Sequence, residues 1–265
     1  MPIGPARMSL WDHLSELRRR LTVVVVAIIV VACVAYLFSP QIGMFLLHPV
    51  AANFPNPDEL PLEELVQQTV ALEAFTPFGV RFFISFISAL VATTPIWIWQ
   101  LLAFFLPALK PSERKWVVPT FFVAVALFCV GIVFCYLVIL DPAFGWLLEQ
   151  AQGFTTVLPE INSYIHTILL FEIAFGFAFE LPLVVFYLTL FNIVPYKKLR
   201  ASWRVVYVVL MVFCAVVTPD ANPVTMILMF CAMSVLYEAS LLLSRIALSR
   251  RLARQKAAEA AEAES

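Results

Sequence analysis

Six apolar runs, at roughly 21–39, 78–106, 117–140, 164–194, 204–218 and 224–243, alternate with short polar segments along the chain. A hydrocarbon core of about 30 Å is crossed by about 20 apolar residues in a helix. The pattern therefore predicts an all-α, polytopic membrane protein with six transmembrane helices. Ser9-Leu10-Trp11-Asp12 has the form of a capping box, and Leu10, Leu14, Leu17 and Leu21 follow at helical spacing. That stripe predicts a short helix lying on the membrane surface before the first span. The segment of about 40–75 is rich in proline at first (Pro40, Pro49, Pro55, Pro57, Pro61). It then turns helical, with Leu62, Leu65, Val66 and Leu72 suggesting a lid at the interface.

The spans are uneven. Pro95 in span two and Pro182 in span four each delete a backbone hydrogen bond and predict a kink. Span four covers roughly 30 residues, or ~45 Å of helix, so it must tilt or bend. Spans five and six hold uncharged apolar stretches only from Val205 to Val217 and from Val224 to Tyr237. Each is well short of the hydrocarbon thickness and predicts local thinning of the bilayer. Residues 1–248 read as one six-span domain, and 249–265 as a charged Ala-, Glu- and Arg-rich tail, either helical or disordered.

Composition agrees: 62% hydrophobic residues and a mean hydropathy of +0.93 exceed what a soluble core can bury. Charge then sets the orientation. Of 17 Lys and Arg residues, all but Arg81 fall in the first, third, fifth and seventh inter-span segments, while the others carry only acids. Basic loops remain in the cytoplasm, so the N and C termini are expected there. The net charge of −1 hides two opposite surfaces and gives no ground for nucleic-acid binding. The first apolar run follows Arg18-Arg19-Arg20 with no small-residue cleavage site, and reads as an anchor. The cysteines at 33, 129, 135, 214 and 231 all lie in apolar runs without a CxxC pair, and read as small buried hydrophobes, so no metal or cofactor is expected.

The chemistry is carried by a few acids. Glu180, in Phe179-Glu180-Leu181-Pro182, lies at membrane depth, where a carboxylate costs at least about 2.5–3.5 kcal/mol and faces a cavity or a partner. Pro182 also frees the carbonyl of Ala178. Glu172 reads as either interfacial or functional, and Arg81 could snorkel or pair with it. Glu238 and His166 lie near span ends, where solvated side chains are the default. Glu16 and Glu113 are acids among cytoplasmic bases. Local pairings account for both: Glu16 with Arg20 at i+4, and Glu113 in a first helical turn after Ser112. Two acids on one face also suit a dibasic ligand, since guanidinium pairs bidentately with carboxylate.

Four motifs in order resemble one family over about residues 9–248. His13-Leu14-Ser15-Glu16-Leu17-Arg18-Arg19-Arg20-Leu21 resembles the amino-terminal signature of TatC, the membrane receptor of the twin-arginine protein translocase. The segment from Ala103 to Arg114 (Ala-Phe-Phe-Leu-Pro-Ala-Leu-Lys-Pro-Ser-Glu-Arg) is similar to that family's first cytoplasmic loop. Phe179-Glu180-Leu181-Pro182 resembles its fourth-span motif, and Thr218-Pro219-Asp220 its turn between spans five and six. The resemblance implies a concave, glove-like bundle. It also implies that Glu16 and Glu113 receive the two arginines of a signal peptide, with Arg18 and Phe104 in the same patch. Glu180 and Thr218 match positions that meet partner helices, and Pro49 resembles a functional proline of the first external loop. The family commonly reads Thr-Pro-Pro-Asp where this chain has Thr-Pro-Asp-Ala-Asn-Pro, which puts the role of Asp220 in doubt.

The expected function is thus that of a receptor and core subunit, not an enzyme, exporting folded proteins across the cytoplasmic (inner) membrane. The resemblance implies TatA- and TatB-type single-span partners in a multimeric complex embedded in lipid, driven by the proton motive force. The alternative is an ion-coupled secondary transporter of a small molecule with Glu180 as its proton or ligand site. No internal repeat of the kind such carriers show is visible. The Gly-x4-Gly-Lys-Ser/Thr, His-Glu-x-x-His and Gly-x-Ser-x-Gly motifs are absent.

Overall fold

The computed structural model describes residues 10–54, 61–67, 69–71, 73–105, 114, 117–151, 159–190, 194–218 and 222–263. The regular elements among the described residues are all helical, with one isolated bridge between Val70 and Glu160. Four helices are long and apolar enough to cross a membrane: His13–Leu37, Val117–Ala151, Ile161–Thr189 and Pro223–Ile246. A bent pair, Thr76–Ala92 with Thr94–Phe104, makes a fifth, and Trp203–Val217 is a shorter apolar helix. Packing divides the chain into two compact units, Met1–Gly176 and Phe177–Ser265.

In the first unit, α1 (Leu10–Leu37) is one continuous helix. The separate surface helix expected before span one is therefore not formed. No glycine or proline interrupts the chain between Leu10 and Leu37, and the Thr22 hydroxyl donates to the Arg18 carbonyl at 2.9 Å across the expected junction. Along its length α1 packs on α4 (Thr76–Ala92) and α5 (Thr94–Phe105). Val25, Val26, Ile29, Val30 and Val34 stay exposed, as a lipid-facing surface requires.

The kink expected at Pro95 is a 55° bend between α4 and α5. Pro95 cannot donate to the Val91 carbonyl. The Thr94 hydroxyl takes that carbonyl at 2.6 Å, and the Trp97 indole N–H takes the Leu90 carbonyl at 3.1 Å. Side chains thus satisfy backbone acceptors that lipid could not.

Between α1 and α4 lie α2 (Ser39–Leu47), a 3-10 turn (His48–Asn53) and α3 (Leu62–Gln67). The proline-rich start and helical end expected there are both present. Val66 is half-buried, while the side chains of Leu62 and Leu65, and all of Leu72, lie outside the described residues. The 3-10 turn is anchored by the Asn53 amide donating to Asp141 Oδ1 at 3.1 Å, and by Phe54 against Tyr164 at 5.2 Å between ring centroids.

Span three outruns its apolar pattern. After α6 (Val117–Phe134) a π-turn (Cys135–Ile139) leads into α7 (Leu140–Ala151). The sequence pattern ended this helix near Asp141-Pro142. The π-turn shifts the hydrogen-bond register, with Leu140 N–H donating to the Cys135 carbonyl, and the helix passes through the proline. α8 (Ile161–Ala178) crosses α6 at a pair of glycines. A Cβ on Gly131 would come within 2.6 Å of the Phe175 carbonyl oxygen, and one on Gly176 within 2.8 Å of the Phe128 ring. Small residues set this approach, as in other membrane helix pairs. Gly131→Ala is expected to destabilise the protein by about 1–3 kcal/mol, the scale of overpacking. Gly79, with nothing within 4 Å of its Cβ position, is the neutral control. Thermal unfolding in detergent compares the two, and equal melting temperatures would refute the tight crossing.

In the second unit, α9 (Leu181–Leu190) and α11 (Trp203–Val217) both pack on α12 (Pro223–Ala263), with α10 (Tyr196–Ala201) at one end. Span five is short, as expected, at 15 residues or about 22 Å. Span six is not: the apolar helix runs 24 residues, from Pro223 to Ile246, and the backbone continues helical to Ala263. Glu238 was expected to end the span as a solvated side chain. Its side chain is indeed 41% exposed, and in addition it accepts from Arg200 Nη1 at 2.9 and 3.0 Å and from the Tyr207 hydroxyl at 3.1 Å.

Candidate functional site

The densest arrangement of polar groups among the candidate residues lies where α1 meets α5. His13, Glu16 and Arg20 recur at spacings of three and four and share one face of α1. Gln100 and Phe104, four apart, share the facing surface of α5. The His13 ring stacks on Phe104, with centroids 4.3 Å apart and planes at 21°. One turn along, Arg20 reaches both helices. Its Nε and Nη2 donate to Glu16 Oε1 at 3.0 and 2.5 Å, and its Nη1 donates to Gln100 Oε1 at 3.2 Å. Both partners are largely sheltered, the Arg20 and Glu16 side chains being 24% and 20% exposed. Glu16 Oε2 is buried and receives no hydrogen bond among the described residues. The local pairing of Glu16 with Arg20 is thus real, yet it uses only one of the two carboxylate oxygens.

The remaining candidates are placed as follows. Phe104 lies beside Glu16 through the His13 stack. Arg18 is exposed and, two residues on from Glu16, falls on another face of α1. Glu113 lies outside the described residues. Pro49 sits in the first turn of the 3-10 segment, next to fully buried Val50. Glu180 sits at the break between α8 and α9 that Pro182 imposes. Its Oε1 is buried with no hydrogen-bond partner among the described residues. Thr218 is buried, and its hydroxyl donates to the Cys214 carbonyl at 3.0 Å, closing the end of α11. Glu172 is also buried. The pairing with Arg81 considered for it is not made: Arg81 is exposed, with its guanidinium 5.9 Å from the Tyr36 ring centroid. His166 stacks on Phe83 at 4.6 Å.

Gln100 and His13 carry site geometry that sequence reasoning passed over. The signal for Gln100 was present, as an amide among Ile98, Trp99, Leu101 and Leu102, four residues before Phe104. For His13 it was the three-residue spacing to Glu16.

Long apolar helices with exposed apolar faces, and acids set within or between them, define a multi-pass helical membrane protein with polar sites inside and beside its spans. The family described as Sec-independent protein translocase protein (TatC) matches residues 12–231, and the chain belongs to it. The chain is 34% identical over 241 residues to the Sec-independent protein translocase protein TatC of Deinococcus radiodurans, covering 91% of this chain and 87% of that one. It is 37% identical over 260 residues to the TatC of Frankia casuarinae, covering 96% and 70%. Among solved structures, a crystal structure of the twin-arginine translocase receptor TatC superposes with a TM-score of 0.71 at 26% identity, covering 89% of this chain and 99% of that one.

Proposed function

We propose that this chain is the receptor and core subunit of a twin-arginine translocase, binding twin-arginine signal peptides and passing folded cargo across the cytoplasmic (inner) membrane. The observation that carries the reading is Glu16: a sheltered carboxylate with one oxygen that receives no hydrogen bond among the described residues, beside an aromatic stack, on a helix that also carries Arg18–Arg20. An arginine side chain supplies what that oxygen lacks, and guanidinium is the cation best shaped for a carboxylate in an aromatic setting. Glu113 supplies the second acid, and Phe104 completes the patch, while Arg18, on another face of α1, stands outside it. The chain spans the membrane six times, with Trp203–Val217 as the short fifth span and both termini in the cytoplasm, following the distribution of basic residues.

Glu180 and Thr218 belong to the face that engages TatA- and TatB-type single-span partners within a multimeric complex. Pro49 fixes the first external loop, which the Asn53–Asp141 contact ties down. The proton motive force drives transport; the chain itself performs no catalysis. A photo-crosslinking side chain in place of exposed Leu17, one residue from Glu16, tests recognition in cells. It is expected to capture a precursor with a twin-Arg signal and to lose most of that capture with twin-Lys. Equal capture of the two would refute the site.

A further inference from the structure

Glu16 is already engaged before any ligand arrives, and the partner is chemically the same as the ligand proposed for it. Arg20 presents a guanidinium to Glu16 Oε1 through two nitrogens while its third nitrogen rests on Gln100 Oε1. We propose that Arg20 is a resident placeholder for the signal peptide's arginine, exchanging Glu16 for Gln100 when the peptide docks; this rests on the signal-peptide reading above.

Three features support the exchange. First, the geometry is lopsided. An arginine paired side-on with a carboxylate ordinarily engages both oxygens, but here both donors converge on Oε1 and, among the described residues, Oε2 is left buried without one. A second guanidinium can therefore fill Oε2 while Arg20 still holds Oε1, once the side chains covering that oxygen move aside. Second, a second arginine at Glu16 weakens the hold on the first. Two cations a few ångströms apart repel by about 4 kcal/mol at an effective dielectric of 20, offsetting much of the attraction either one feels for the shared acid. Third, the route out is already built. Gln100 is a neutral acceptor on the adjacent helix, within hydrogen-bond distance of the Arg20 nitrogen that Glu16 does not hold. Arg20 can shift toward it without leaving the cluster.

The arrangement serves two ends. It keeps a largely sheltered carboxylate from standing unpaired in the absence of cargo, which is costly. It also sets a threshold: a ligand must outcompete a guanidinium. Lysine, a strongly hydrated point charge that lacks the planar fork, does so poorly. Discrimination between twin-Arg and twin-Lys thus comes partly from Arg20 and not from the acids alone.

The test is binding of a fluorescent twin-Arg signal peptide, and of its twin-Lys counterpart, to the purified full chain in detergent or nanodisc. Arg20→Gln, which removes the competing charge but keeps a polar, hydrogen-bonding side chain, is expected to raise twin-Arg affinity by about two- to fivefold, the scale of a partly exposed ion pair. It is also expected to narrow the preference over twin-Lys. Gln100→Leu, which removes the resting place for a displaced Arg20, should lower twin-Arg affinity in the wild-type background and have no effect when Arg20 is already Gln. Glu16→Gln separates the two ideas. If it leaves peptide binding unchanged, the signal-peptide reading itself fails. If Glu16→Gln weakens binding but Arg20→Gln weakens it too or leaves it unaltered, the receptor reading stands and the placeholder is overturned. Arg20→Lys covers any folding loss in the neutral variant: it keeps the charge but cannot hold Glu16 and Gln100 together. The placeholder predicts affinity between those of wild type and Arg20→Gln, whereas a purely structural role for Arg20 predicts wild-type affinity.

Discussion

Replacing Glu16 and Glu113 together by alanine is expected to abolish export of twin-arginine cargo while the protein still inserts and accumulates normally. Each acid is proposed to meet one arginine of the pair. A hydrogen bond to a charged group contributes about 1.5–3 kcal/mol, so each single variant should weaken peptide binding by about 10- to 100-fold. The double loss leaves only the apolar part of the signal to hold it, with no way to tell a cargo signal from other apolar segments. The single variants need not sum, because the acids act on one ligand and neighbouring charges couple. Export is read by cargo activity on the far side of the membrane, and insertion by the amount of protein in the membrane fraction. Normal export in the double variant would remove the recognition site.

The second large effect is at Glu180. Its position follows from Pro182, which breaks the fourth span into α8 and α9 and leaves the acid at the junction with a buried oxygen that has no hydrogen-bond partner among the described residues. An unpaired acceptor at membrane depth is costly unless a partner arrives to satisfy it. We expect Glu180→Gln to retain much of the transport, since the amide still accepts and donates hydrogen bonds to a partner helix. Glu180→Leu should lose it. A small-molecule proton carrier would respond differently, because glutamine cannot carry a proton and would fail as fully as leucine. Cargo export by the two variants at matched expression decides between docking and proton chemistry: equal loss in both would favour the latter.

What the sequence could reveal depended on whether the determinant was local. The proline breaks at Pro95 and Pro182, and the short span ending at Thr218, were legible because a missing N–H or a run of apolar residues acts within a turn or two. Three features were not. The single 28-residue α1 replaced a surface helix followed by a span, because an amphipathic pattern reports faces and not bends. The partners of Glu238, Arg200 and Tyr207, lie 38 and 31 residues away, and no periodicity encodes such contacts. The helix through Asp141-Pro142 survived by a π-turn, a register shift without a composition signature. At the site, Glu16 and Phe104 were named from motifs, but the engagement of Glu16 by Arg20 and Gln100 needed the packing of α1 on α5.

The central claim is that this chain recognises a pair of arginines by charge and shape at the Glu16 patch. The most direct test is the affinity of the purified chain, alone in a nanodisc, for a twin-Arg signal peptide and for the same peptide with twin Lys. Recognition by carboxylates through bidentate guanidinium contacts predicts at least about tenfold tighter binding of twin-Arg, with the difference lost when Glu16 and Glu113 are both replaced by alanine. Equal affinity for the two peptides, or a preference that survives the loss of both acids, would contradict it.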